Sequence, residues 1–230
     1  MSQVSLSFSN LYATAEPVSL AKRRSRLLLC LVIIALFPSF AAAQADVQES
    51  TQGVNETAAI GKFLAGAMVG LGAHEGGHLL FDGIFGADPG VKRVDFYGIP
   101  FFAITHRDVS RRQEFVISSA GFWVQHATSE WILTRRPRIR EDHAPFSKGV
   151  LAFNVGASTA YSIAAFAKIG PPERDTRGMA IGARLDEGWI GAIILAPAVL
   201  DAWRYLDPEA RWAVWVSRAV KIGGVLLVFR

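Results

Sequence analysis

A single cysteine, Cys30, occurs in the 230 residues, and it falls within the first 45. The rest of the chain can form neither a disulfide nor a thiolate, so any metal there has to be held by His, Asp and Glu. Charge is scarce as well. Charged residues make up 19% of the chain, against roughly 25% in an average soluble protein, while hydrophobic residues reach 51%. A strongly basic body is also missing, although the sequence pI is about 9.5. Of 24 basic and 20 acidic residues, four (Lys22, Arg23, Arg24, Arg26) and one (Glu16) lie in residues 1–45, leaving 20 and 19. The positive charge therefore belongs to the leader, and nucleic acid is excluded as a partner. No internal repeat or low-complexity tract is present.

The leader has the order of a secretory signal. A basic stretch, Lys22 to Arg26, precedes the apolar run LLLCLVIIALFPSF and then the small-residue string AAAQA. Residues 1–45 read as a signal peptide cleaved after Ala43 or Ala45, or as an uncleaved signal anchor. Both send the chain to a membrane, taken here as a bacterial inner membrane. A polar segment follows over 46–57, and residues 58–230 form the domain that carries the chemistry.

Within that domain the apolar residues come in blocks. Five segments, from about Ala58 to Phe85, Phe115 to Leu133, Val150 to Ile169, Trp189 to Leu206 and Trp212 to Phe229, approach the roughly 20 residues that cross a bilayer as a helix. The last holds Arg218 and Lys221 in its interior and suits an interfacial helix equally well. Between the first two, VKRVDFYGIPFFAIT alternates, is rich in β-branched and aromatic residues, and is punctuated by glycine and proline, which predicts a β-hairpin. The fold expected is an all-α multi-pass membrane protein, a bundle of four or five transmembrane helices with a short hairpin after the first. Orientation stays open, because Arg107, Arg111 and Arg112 precede the second segment and Arg135, Arg136, Arg138 and Arg140 follow it. The positive-inside rule cannot satisfy both groups if that segment crosses once.

The chemistry concentrates in the first segment, FLAGAMVGLGAHEGGHLLF. From Phe63 to Phe81 its only ionisable side chains are His74, Glu75 and His78. On a helix the two histidines stand one turn apart on one face, so both imidazoles reach one metal at the roughly 2.0–2.1 Å that zinc requires. Glu75, rotated by about 100 degrees, sits beside the metal and suits a general base acting on water activated there. With five His and ten Glu in the chain, an HExxH arises by chance in roughly one of a few hundred such sequences. Placement in a span sharpens the signal, because ionisable groups in hydrocarbon cost about 2.5 kcal/mol or more and are kept mainly for function. The plain alternative is a pair of core histidines satisfied by neighbouring helices. Two GxxxG pairs, Gly66 with Gly70 and Gly72 with Gly76, and the adjacent Gly77 predict that another helix approaches this one closely, the helix supplying the third ligand.

These residues resemble the site-2 proteases, intramembrane zinc metalloproteases whose HExxH lies in a transmembrane helix. In that family a short β-structure follows, a second core helix carries a Gly-Pro and Asn motif, and a third supplies a metal-binding Asp near prolines. HEGGHLLF matches the first element and VKRVDFYGIPFFAIT stands where the β-structure would be. SSAGFWVQH is similar to the second motif, with Gly121 kept, Phe122 in place of proline, and Gln125 where the substrate-positioning amide is expected. NVGASTAYSIAAFAKIGPPERDTRG ends, like the third, in prolines and an acid, Asp175. The resemblance spans about residues 60–180.

Three candidates remain for the third ligand. Asp175 follows Pro171 and Pro172 at the family's distance from the first motif; Asp201 is an acid inside an apolar segment; His126 and Glu130 share one helical face. Asp82 is on the face of the histidines but about 12 Å along the axis from His74, too far for one metal. The resemblance implies zinc-dependent hydrolysis of peptide bonds in membrane proteins or peptides, with the lipid bilayer as surroundings, His74, His78 and Asp175 on Zn2+, and Glu75 as base. A non-catalytic membrane module that keeps the metalloprotease fold is the alternative.

Overall fold

The computed structural model describes residues 56–96 and 99–226. The expected signal segment with Cys30, the polar segment up to residue 55, and residues 227–230 lie outside them. Six helices and one hairpin follow in chain order: α1 (Glu56–Phe85), β1 (Gly90–Phe96), β2 (Ile99–Thr105), α2 (Arg111–Arg135), α3 (Pro145–Ala167), α4 (Asp175–Ala183), α5 (Glu187–Leu206) and α6 (Arg211–Leu226). The helix ends follow local chemistry. Gly86, at φ 63°, turns the chain out of α1, and the Ala87 amide then bonds back to the Asp82 carbonyl. Ser110 and Gln113 form a capping box at the start of α2, Pro145 opens α3, and Asp186 caps α5 by accepting from the Gly188 amide.

The hairpin stands where the alternating pattern predicted it, antiparallel, with Val91 opposite Ile104 and Gly90 opposite Thr105. The helices pack as a bundle in which α1 lies against α2 and α3, α3 against α5, α4 on α2, and α6 on α5. Glycine makes the α1 contact possible. A Cβ on Gly66 would stand 2.0 Å from the Phe146 carbonyl oxygen of α3, and one on Gly149 would stand 1.9 Å from the Phe63 carbonyl oxygen of α1. Gly70 receives the Phe153 ring, and Gly77 meets the Ala120 carbonyl of α2. Gly72 and Gly76 have nothing within 4 Å, so only one of the two GxxxG pairs is used. The expectation about the third ligand is corrected too. The helix packed on Gly66 and Gly70 is α3, whereas Asp175 belongs to α4, a short helix that the apolar segments did not reveal.

Small polar side chains join the helices inside alongside two apolar clusters, one around Phe122 and Ile190 and one around Ile132 and Ile139, and many large apolar side chains lie outside. Ser118, Ser119, Ser129, Ser158, Ser162 and Asn154 are buried between helices, where Asn154 of α3 donates to the Gln125 carbonyl and the Ser129 hydroxyl of α2. Met68, Ile163, Trp189, Leu206, Trp215 and Ile222 face outward, each at least half exposed. Among the described residues, two helices, α3 and α5, are long and apolar enough to cross a membrane. That measure supports two of the four or five crossings expected. Both α1 and α2 are long enough but carry ionisable groups, and α6, at 16 residues, is about 24 Å long against a hydrocarbon thickness of about 30 Å.

The glycine contacts predict an asymmetry in stability. Gly149→Val should destabilise the protein by about 1–3 kcal/mol or more through overpacking, whereas Gly72→Ala should be neutral or slightly stabilising. Thermal unfolding in detergent reads both, and equal effects at the two positions would refute the packing account.

Candidate metal centre

One imidazole is oriented by a hydrogen bond. His78 Nδ1 lies 2.7 Å from the Ile117 carbonyl oxygen of α2. A carbonyl only accepts, so Nδ1 carries a proton and Nε2 is the nitrogen turned toward the other donors, as in metal-binding histidines. His74 is held by packing. Its ring meets Phe122 edge-on at 5.3 Å and lies 5.9 Å from Tyr161. It rests over Gly121, where a Cβ would come within 2.4 Å of the imidazole. His74 Nδ1 has no hydrogen-bond partner among the described residues.

Asp175 completes the group as the first residue of α4. His74 Nε2 and His78 Nε2 are 3.2 Å apart, and they stand 3.2 and 3.4 Å from Asp175 Oδ2. A tetrahedral ion with bonds of about 2.0 Å has edges of about 3.3 Å, so one ion fits over this triangle of donors. His74, His78 and Asp175 are buried or nearly so, and together they could hold a metal ion. Burial works against the charged form of Asp175. The His78 charge and the hydrogen bonds from both imidazoles outweigh it and hold the carboxyl well below the usual carboxylate range. An acid in the first turn of a helix is also favoured by the peptide dipoles.

The two neighbours of Asp175 in the chain lock it in place. Arg174 donates to both carboxylate oxygens of Glu187, each at 2.6 Å, and the Thr176 hydroxyl donates to the same carboxylate at 2.6 Å. Glu187 opens α5, so the base of one helix positions the ligand that opens another. Sequence reasoning missed Glu187, Thr176, Tyr161 and the Ile117 carbonyl. The signals available were an acid just inside a helix N-terminus and a lone tyrosine in the apolar stretch of α3.

The rival ligands are engaged elsewhere. Asp201 accepts from Lys221 at 2.7 Å and from Ser217 at 3.0 Å, and Glu130 is bound by Arg204, Arg218 and Lys221. His126 lines a separate cavity. Gln125, to which the resemblance assigned substrate positioning, is buried against α3, where its side-chain oxygen accepts from Ser158. Phe122, standing where the family has proline, fills the space between His74 and Tyr161.

The donors are reached through a cleft of about 410 Å3 whose walls include His78, Asp175, Ile104, Thr105, Glu114 and Ser118. The end of β2 thus borders the cleft. Glu75 is half-buried and interacts electrostatically with His74, His78 and Asp175; it is not among the residues that line the cleft. Asp82 is fully buried, and both its carboxylate oxygens lack hydrogen-bond partners among the described residues. No family model, no curated protein and no solved structure matches the chain.

Two substitutions that touch no donor atom should weaken the site. Gly121→Ala pushes the His74 ring out of the triangle, and Glu187→Ala releases Arg174 and Thr176 on either side of Asp175. Both should lower metal retention by about tenfold or more, as loss of outer-shell support does, while Asp201→Asn leaves it unchanged. Metal analysis after dialysis against a chelator checks this, and equal retention in all three variants would refute the assignment.

Proposed function

We propose that this protein is a membrane-embedded zinc metalloprotease that hydrolyses peptide bonds of membrane-associated proteins or peptides. The observation that carries the reading is the convergence of His74 Nε2, His78 Nε2 and Asp175 Oδ2 at the edge lengths of a tetrahedral ion. Two imidazoles and a carboxylate without thiolate are a donor set that would suit catalytic zinc. When bound, zinc supplies Lewis acidity, bringing the pKa of water toward neutrality and polarising a peptide carbonyl.

The chain's own residues supply the rest. Glu75 stands beside the donors without joining them, so its carboxylate takes the proton of the attacking water and returns it to the leaving amine. The Ile117 carbonyl keeps His78 Nε2 turned toward the other donors. Each hairpin strand has one edge unpaired within the two-stranded sheet, and β2 ends at the cleft. A substrate segment, unwound from its helix, can add there as an extended strand, with its backbone amides satisfied and its scissile carbonyl presented to the donors.

Membrane residence is supported by the arrangement of side chains. Large apolar residues cover the outside while serines and an asparagine join the helices inside, the pattern expected where lipid replaces water. Exposed apolar surface of this extent on a water-soluble monomer would be an association hazard. Carbonate washing should leave the protein in the membrane fraction, and release into the supernatant would overturn the membrane reading.

Glu75→Gln tests catalysis apart from binding. The variant should keep about one zinc per chain and its thermal stability, while cleavage of a membrane substrate falls by several orders of magnitude. His74→Ala and His78→Ala should lose both zinc and cleavage. If Glu75→Gln processes every substrate as the wild type does with zinc still bound, the protease reading fails and a non-catalytic module is the better account.

A further inference from the structure

A second open volume lies apart from the metal cleft. A cavity of about 840 Å3 lies between α2, α4, α5 and α6. Phe122, whose ring meets His74, forms part of its wall, together with Phe115, Ile190, Ile194, Pro197 and Val225. It follows α2 from Arg111 to Glu130, about 28 Å at the helical rise and close to the roughly 30 Å of a bilayer's hydrocarbon.

The two ends differ in charge. At one end stand Arg111, Arg112 and Arg184. Arg111 is engaged with the Ile181 and Gly182 carbonyls at 3.2 and 3.0 Å, whereas Arg112 and Arg184 have no anionic partner among the described residues. At the other end Glu130 is matched by Arg204, Arg218 and Lys221, so that end asks for no counter-charge. An apolar trough of bilayer length with unpaired guanidinium groups at one mouth matches an amphiphile with an anionic head.

We infer that this cavity is a binding site for one anionic phospholipid, with acyl chains along α2 and phosphate at Arg112 and Arg184. Basic pockets between membrane helices bind anionic headgroups, and guanidinium groups suit phosphate through paired, charge-assisted hydrogen bonds. The two guanidinium groups at one mouth, without anionic partners among the described residues, favour a phosphate-bearing amphiphile over an uncharged apolar helix. The inference rests on the membrane reading and is independent of zinc and of proteolysis.

Trp123 in the cavity wall is a built-in reporter. The full chain, purified in detergent, is titrated with phosphatidylglycerol or phosphatidylcholine carrying brominated acyl chains, and tryptophan quenching is followed. Phosphatidylglycerol should quench saturably with at least tenfold lower half-saturation than phosphatidylcholine. Trp123→Phe should remove the saturable component. Arg112→Gln and Arg184→Gln, singly and together, should erase the preference while thermal stability stays within a few degrees; the single variants carry the test if the double one does not fold. Equal quenching by both lipids in the wild type, a preference that survives the arginine substitutions, or saturable quenching that persists without Trp123 would each overturn the site. Displacement of the lipid by a hydrophobic helical peptide would reassign the cavity to a protein segment and overturn it as well. Zinc content of the same samples separates any failure here from failure of the metalloprotease reading.

Discussion

Asp175 meets two histidines about a hundred residues away because the residues on either side of it are tied to a single carboxylate. Arg174 grips both oxygens of Glu187 and Thr176 donates to one of them, which leaves Asp175 little freedom to turn from the imidazoles. The grip is mostly buried, with Glu187 8% exposed, and low polarity strengthens each of its hydrogen bonds. It also makes them mutually dependent. Removing Glu187 would leave the Arg174 charge without its carboxylate and the Thr176 hydroxyl without its acceptor next to the donors, a larger perturbation than the loss of one surface pair. The connection from α3 to α5 thereby becomes a rigid bracket holding α4 over the motif.

The same economy of side chains brings the histidines to their partners. Gly66, Gly70 and Gly77 let α2 and α3 come against the backbone of α1, and Gly121 lets the His74 ring lie on α2. With helices this close, the space between them suits serine, asparagine and glutamine, whose polar groups then bond across the contact. Close packing and interhelical hydrogen bonds hold these helices together, the terms that suit helix association where lipid gives no hydrophobic reward. Larger side chains at these positions would separate the helices and pull the Ile117 carbonyl away from His78.

Helix α2 borders both the candidate metal group and the long cavity. One side carries the Ile117 carbonyl and Gly121 toward the metal group, and the other forms the wall of the long cavity, with Phe122 bordering both. The charged cluster of Glu130, Asp201, Arg204, Arg218 and Lys221 fastens α6 as the remaining wall. Its acids and bases satisfy one another, which lowers the cost of holding ionisable groups between packed helices. Asp201 belongs to this cluster, and that is why an acid inside an apolar helix is not a ligand here.

His74, Glu75 and His78 were legible from the chain alone, because one helical turn decides which side chains share a face and needs no tertiary information. The hairpin was legible for a similar reason, since alternation between glycine and proline punctuation is a local property. The choice among Asp175, Asp201 and the pair His126 and Glu130 was not legible. All three are acids or imidazoles in or beside apolar segments, and only the packing of α4 on α2 and of α6 on α5 determines which of them face the histidines and which face arginine and lysine. The roles of Glu187, Tyr161 and the Ile117 carbonyl likewise exist only once distant segments meet. Local spacing determined the two-histidine motif; the bundle decided which acid meets it, its cleft and the cavity behind it, because each of these is made by residues that approach one another only through helix packing.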